Sequence, residues 1–273
     1  MHKKLFGIVC SILAISLLGA CGLLVGEPFI DPVPQAVITQ SFSERSIVDL
    51  RSYPTPDDGS AFTNFVIFYR IYVSSVNPSP TTIGDNHTFS VINPTLNSDF
   101  LNIHPRIDNE ELIGENMHNV FSGRQFRYLA LENYDITQVL GREFFARSVG
   151  ERIIEFDFDF TTGRIPVMRI GSSTNPNRQV YNLLRANSHQ GIGAFAPQPE
   201  HRRFINSPEL RSSENINLRI NADVADRSGI VAAERRYTYA AMFIVAVGMS
   251  SGTFSNVYST PAMIHVFRLP DES

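Results

Sequence analysis

The chain of 273 residues contains no tryptophan, only two cysteines and only 18% charged residues. Each shortage closes a class of function. Cys10 and Cys21 alone cannot build a thiolate metal site or a framework of several disulfides. Lysine and arginine number 23 against 27 aspartates and glutamates, and they nowhere cluster beyond Arg202-Arg203 and Arg235-Arg236. A protein that grips a phosphate backbone does so with clustered cations, so nucleic acid is excluded as a partner. Catalytic signatures are scarce as well. The seven histidines include no HExxH and no pair four residues apart. Ser188 and Ser250 lack the GxSxG elbow. Gly191-Ile192-Gly193 is followed by Pro197 and Pro199, where a dinucleotide fingerprint needs a helix to begin. No cofactor and no metal site are expected, and the chain reads as a non-enzyme.

The N-terminus carries the most specific pattern. His2, Lys3 and Lys4 precede an apolar run over residues 5–18, shorter than the roughly 20 residues a spanning helix needs. Leu18-Gly19-Ala20-Cys21 follows. This string resembles the lipobox of bacterial lipoproteins, with an aliphatic residue, two small residues and then the cysteine. The resemblance implies cleavage between Ala20 and Cys21 and lipid on the Cys21 thiol. Each buried methylene contributes ~0.8 kcal/mol, so two or more acyl chains hold a protein on a membrane. The expected location is the bacterial cell envelope, and the absence of Asp after Cys21 (Gly22 stands there) favours an outer membrane over an inner one. Loss of residues 1–20 takes Lys3 and Lys4 with it and moves the net charge from −4 to −6.

Residues 21–34 hold several prolines and read as a lipidated tether. Beyond them, 43% hydrophobic residues with 20 Phe and 9 Tyr supply a phenylalanine-rich core. Residues 37–39 and 46–50 are short strand candidates, and Pro54, Pro56, Asp57, Asp58 and Gly59 form a turn cluster. Residues 65–73 (FVIFYRIYV) and 237–247 (YTYAAMFIVAV) are strong strands, apolar on both faces apart from Arg70, which demands cover on both sides. Residues 258–269 return from the second as a hairpin.

These two ends resemble a fibronectin type III domain. Residues 46–75 read like its B strand, proline-bearing loop and C strand with Tyr69-Arg70. Residues 243–269 read like its F strand, the F–G turn with Gly252, and the G strand. Two departures stand out: the B-strand tryptophan is missing, and Tyr237 and Tyr239 replace a tyrosine expected near position 240. The expected fold is therefore mainly β, a fibronectin type III or immunoglobulin-like β-sandwich interrupted by an α+β insertion. Residues 35–76 and 216–270 would form the two parts of the sandwich, and 77–215 the insertion.

Within that insertion, Ile113, Met117, Val120 and Phe121 have helical spacing, with Asp108 and Glu111 as a capping box and Gly123 at the stop. Residues 126–131 read as a strand. Ile136, Val139, Leu140 and Phe144 suggest a helix despite Gly141. Residues 151–160 and 164–170 flank Thr161-Thr162-Gly163 as a β-hairpin. Residues 171–215 read as loop-rich, with Val180, Leu183 and Leu184 too short a pattern to assign, and 216–220 as a possible E strand.

In ERIIEFDFDF, Glu155, Asp157 and Asp159 alternate with apolar residues, so three carboxylates share one strand face. Ca²⁺ takes six to eight oxygens, usually from loops, so a solvated outer face is the expected role. The functional expectation is a membrane-anchored, non-enzymatic binding or structural module with a protein or glycan partner in the envelope, its binding residues on loops of 171–215. A small-ligand binder with a pocket between sandwich and insertion, and a cell-wall or glycan enzyme with paired carboxylates, are the alternatives.

A version beginning at Gly22 holds no cysteine, so its fold cannot depend on a disulfide. Its thermal melt should be the same with and without reductant, whereas a fold that appears only when Cys10 and Cys21 are present and oxidised would contradict the exported, disulfide-free reading.

Overall fold

The computed structural model describes residues 30–41, 44–57, 61–77, 92–103, 120–121, 123–159, 165–185, 202–212, 223–225, 230–250 and 254–271. Cys21, Ala20, the tether up to residue 29, the greater part of the helix expected around residues 108–121 and the possible strand at 216–220 lie outside them. The protein is mainly β. Its strands are β1 (Ile38–Ser41), β2 (Arg45–Asp49), β3 (Phe62–Ser74), β4 (Arg127–Leu131), β5 (Ile153–Asp157), β6 (Val167–Ile170), β7 (Gln179–Arg185), β8 (Arg202–Arg203), β9 (Tyr237–Met249), β10 (Asn256–Tyr258) and β11 (Ala262–Arg268). Among the described residues, α1 (Pro94–Ile103), α2 (Ile136–Val139), α3 (Arg142–Phe145) and α4 (Pro208–Arg211) are helical.

The strands form one antiparallel sheet in the order β1-β2-β5-β6-β7-β4-β3-β9, with β10 and β11 along the far edge of β9 and β8 against β7. The sheet curls until β11 meets β2. Ser46 Oγ donates to the Ile264 carbonyl at 3.0 Å, and the Gln35 amide exchanges two hydrogen bonds with the Met263 backbone, at 2.9 and 3.0 Å. Side chains thus join the two ends of the sheet.

The two strongest strands of the sequence, β3 and β9, pair with each other in register Ile67↔Ile244. Because alternate side chains point to opposite faces, the pair feeds two cores. Phe65, Ile67, Tyr69, Ile71 and Val73 with Ala240, Met242, Ile244 and Ala246 point inside the curl, where Val48, Leu129, Ile154, Phe156, Met168, Ile170 and Leu183 join them. Val66, Phe68 and Tyr72 with Tyr239, Ala241, Phe243 and Val245 face outward, under Leu96 and Ile103 of α1 and under Phe121 and Phe126. Phe68 and Phe121 stack at 4.2 Å between centroids. Asn93 starts α1: its Oδ1 accepts from the Thr95 and Leu96 amides at 2.8 and 3.3 Å, and its Nδ2 donates to the Val73 carbonyl at 2.8 Å. One residue both caps the helix and ties it to β3.

Gly141 divides the helix expected over 136–144 into α2 and α3. It bridges Asn64 of β3, and a Cβ there would lie 2.7 Å from the Thr137 carbonyl oxygen. The hairpin expected around residues 161–163 is present in its strands, β5 pairing β6 with Glu155↔Arg169. Where no element was assigned, residues 179–185 form β7 and place Tyr181 and Leu183 inside.

Ile244 is fully buried beside Ile67 on the inner face. Ile244→Ala should lower the unfolding free energy by about 2–5 kcal/mol in urea melts. Ile244→Asp should leave no cooperative transition, since an unpaired buried carboxylate exceeds ordinary domain stability. A near-native midpoint for Ile244→Asp would contradict this packing.

Candidate functional site: charged clusters on the curled sheet

Of the residues singled out by sequence, Cys21, Ala20, Ser188, His189 and the Gly191-Ile192-Gly193 run lie outside the described residues. Ser250 is buried in the β9–β10 turn, its amide donating to the Ser255 carbonyl. The acidic strand is β5, and its carboxylates do share the outer face. That face is not the solvated one expected. Arg169 Nη1 lies 3.0 Å from Glu155 and also pairs with Asp157, Arg178 Nη1 lies 2.6 Å from Glu155, and Arg45 reaches Asp157 at 3.4 Å and Asp159 at 3.6 Å. Register explains the pairing, since Arg169 on β6 stands opposite Glu155 and Arg45 on β2 stands opposite Asp157. Three guanidinium groups engage the oxygens that a cation would need. Among the described residues, no group of three or more His, Cys, Asp or Glu side chains could hold a metal ion.

A second cluster lies under α1. Arg70, the one charge in β3, pairs with Asp99 of α1. Tyr72 Oη donates to Asp99 Oδ2 at 2.7 Å, Arg124 reaches Oδ1 at 3.3 Å, and Arg70 Nη2 donates to Gln125 Oε1 at 3.1 Å. Arg124 remains partly open to water. The cluster fastens α1 to the sheet.

The third cluster is inside the curl, and sequence reasoning missed it. Tyr69 of β3 stands opposite Arg127 of β4, and Leu129 of β4 opposite Arg185 of β7. Arg127 and Arg185 are therefore diagonal neighbours on one face, roughly 7–8 Å apart at the backbone. Asp223 arrives from a segment that bridges β3, the Ile71 amide donating to the Asp223 carbonyl at 2.9 Å. Arg185 Nε and Nη2 grip Asp223 at 2.9 and 2.6 Å, and Tyr69 Oη donates to Asp223 Oδ2 at 2.9 Å. Phe204 packs edge-to-face against Tyr69, with ring centroids 4.9 Å apart. All four polar residues are buried.

The two arginines fare differently. Burial pulls the Arg185 guanidinium down, but the forked Asp223 carboxylate and Tyr69 raise it above its ordinary value. Burial lowers Arg127 too, and Tyr69 and Asp223 offset only part of that. Burial and the Asp223 charge push the Tyr69 hydroxyl well above its usual range, so it keeps its proton near neutral pH. The cluster thus offers a fixed donor arrangement with two cations for one carboxylate, rather than a group poised to exchange protons.

Removing the Asp223 charge leaves Arg185 buried without its counter-ion. Asp223→Asn should cost about 3–5 kcal/mol in urea melts. Asp157→Asn should cost less, because its partners Arg169 and Arg45 keep Glu155 and Asp159 as counter-ions, and Arg45 is about half exposed (48% of its side-chain surface). Equal costs at the two sites would contradict the distinction between inner and outer clusters.

Compared with known proteins, the chain matches no family model, no curated protein and no solved structure.

Proposed function

We propose that the protein is a lipoprotein of the bacterial cell envelope, held to a membrane by lipid on Cys21, whose curled sheet works as a non-enzymatic binding module. The anchor rests on the pattern Leu18-Gly19-Ala20-Cys21 and on the charged and apolar zones before it. The binding role rests on one observation: the buried Arg127 lies on the inner face beside a cluster whose carboxylate, Asp223, is already engaged by Arg185 and Tyr69. Rigid, preorganised polar groups inside an apolar surround are the makings of a recognition site. Among the described residues, no helix is long and apolar enough to cross a membrane.

Ile30 and this cluster lie at different points along β3. Ile30, nine residues beyond Cys21, lies on Gly248 at the end of β9, which pairs with Phe62 at the start of β3. Tyr69 is seven residues further along β3, roughly 23 Å at about 3.3 Å per residue. The arginine cluster therefore stands away from Ile30.

Strand adjacency supports a fibronectin-like relation within this reading. The neighbours such a domain calls for, C beside F and F beside G, correspond to β3 beside β9 and β9 beside β11. On that relation β6 and β7 are additions that link the two layers into one sheet.

Labelled palmitate should enter the protein, and Cys21→Ser should abolish incorporation and leave unprocessed precursor. Label persisting in that variant would remove the anchor from the proposal. Turnover of peptidoglycan or glycan substrates that vanishes with one acid or histidine would replace the binding role with an enzymatic one.

A further inference from the structure

Five arginines are buried among the described residues: Arg70, Arg127, Arg152, Arg185 and Arg235. Four have acceptors. Arg70 has Asp99 and Gln125, and Arg185 has Asp223. Arg152 donates to the Phe145 carbonyl at 2.8 Å and to Thr55 at 2.6 Å, and Arg235 donates to the Ile230 and Arg211 carbonyls. Arg127 is only 5% exposed, and among the described residues its Nη1, like Nε of Arg70, is buried with no hydrogen-bond partner.

An arginine cannot escape this position by losing its proton, because the guanidinium stays charged in proteins. A lysine there could shift to its neutral form. The nearest carboxylate does not answer the need, since Asp223 accepts both forked hydrogen bonds from Arg185 and one from Tyr69. Arg127 and Arg185 are diagonal neighbours, so their charges add on the inner face. Among the described residues, the cluster holds two cations, Arg127 and Arg185, and one carboxylate, Asp223.

We propose that Arg127 binds a small anionic group, a carboxylate or a phosphate, carried by the ligand of this module. The planar fork of a guanidinium matches either group with two parallel hydrogen bonds. Tyr69, Arg185 and Asp223 position the site without taking part in the ion pair: they hold the surrounding charge fixed and leave Arg127 Nη1 as a donor for the ligand. This inference rests on the binding role argued above and names the ligand's chemistry.

The test uses the full lipidated chain in a non-ionic detergent. Its melting temperature is followed in inorganic phosphate, in acetate and in succinate, each against sodium chloride at matched ionic strength. Phosphate or the carboxylates should raise the melting temperature by several degrees beyond chloride, and the arm with the larger shift assigns the anion class. Arg127→Met, which removes the cation and keeps an unbranched side chain, should abolish that shift and melt no lower than the parent chain without anions. Arg127→Lys, which keeps the charge and loses the fork, should retain only part of the shift. Should Arg127→Met not fold, the wild-type and Arg127→Lys titrations still decide the matter. Phosphate and carboxylates that act no differently from chloride would overturn the proposal, as would a shift that survives in Arg127→Met. Native mass spectrometry of the chain extracted from its membrane keeps the two readings apart. An uncharged molecule that co-purifies with both the parent and Arg127→Met would overturn the anion site and leave the binding role standing.

Discussion

The pairing of β3 with β9 is the constraint on which the other elements depend. Both strands run thirteen residues, and both are apolar on each face almost throughout. Exposing either face would leave a large hydrophobic surface in water, at roughly 25 cal/mol per Å² of apolar area. Pairing the strands edge to edge satisfies their backbones but hides neither face. The curl of the sheet covers one, and α1 with Phe121 and Phe126 covers the other. The shape of the protein follows from this double demand. A flat sheet would leave Phe65, Ile67 and Ile244 bare on one side.

The same demand sets the terms for charge. A side chain that points inside the curl has no access to bulk water, so its charge must be met by another part of the chain or by something bound to it. Asp223 meets Arg185, and the segment that carries it is fixed by backbone hydrogen bonds to Ile71. On the outer face the terms are milder. The β5 acids face arginines on the strands either side, and the partly open Arg45 relies on water as well. Tyr69 and Arg70 show the contrast within two residues: one serves the inner cluster, the other the outer.

Much of this was legible in the sequence, and what was not has physical reasons. β3, β9 and β11 announce themselves as apolar runs rich in β-branched and aromatic residues, and the β5–β6 pair by its alternation. The need of β3 and β9, about 170 residues apart, for cover on both faces was legible too, and the structure meets it with the two strands paired. β7 stayed hidden because its inner row ends in Arg185, and a charged residue in that row breaks the alternation. The acidic face of β5 read as solvated because its partners, Arg45, Arg169 and Arg178, lie on other strands or beside them, and only the register brings them together. Asp223 carries no local signal at all. Its role depends on a bridge to Ile71 that a linear pattern does not encode. Arg127, at the head of RYLAL, was the one available hint: a cation next to a fully apolar strand segment.

The central claim is that residues 35–270 fold around the β3–β9 pair as one unit, with β5, β6 and β7 integral to its sheet. Amide hydrogen exchange under native conditions tests it most directly. If the claim holds, the central amides of β3 and β9 exchange slowest, and those of β5, β6 and β7 become exposed with them in the same global opening. Exchange of β5–β7 in a separate and much easier step, with β3 and β9 still protected, would contradict it.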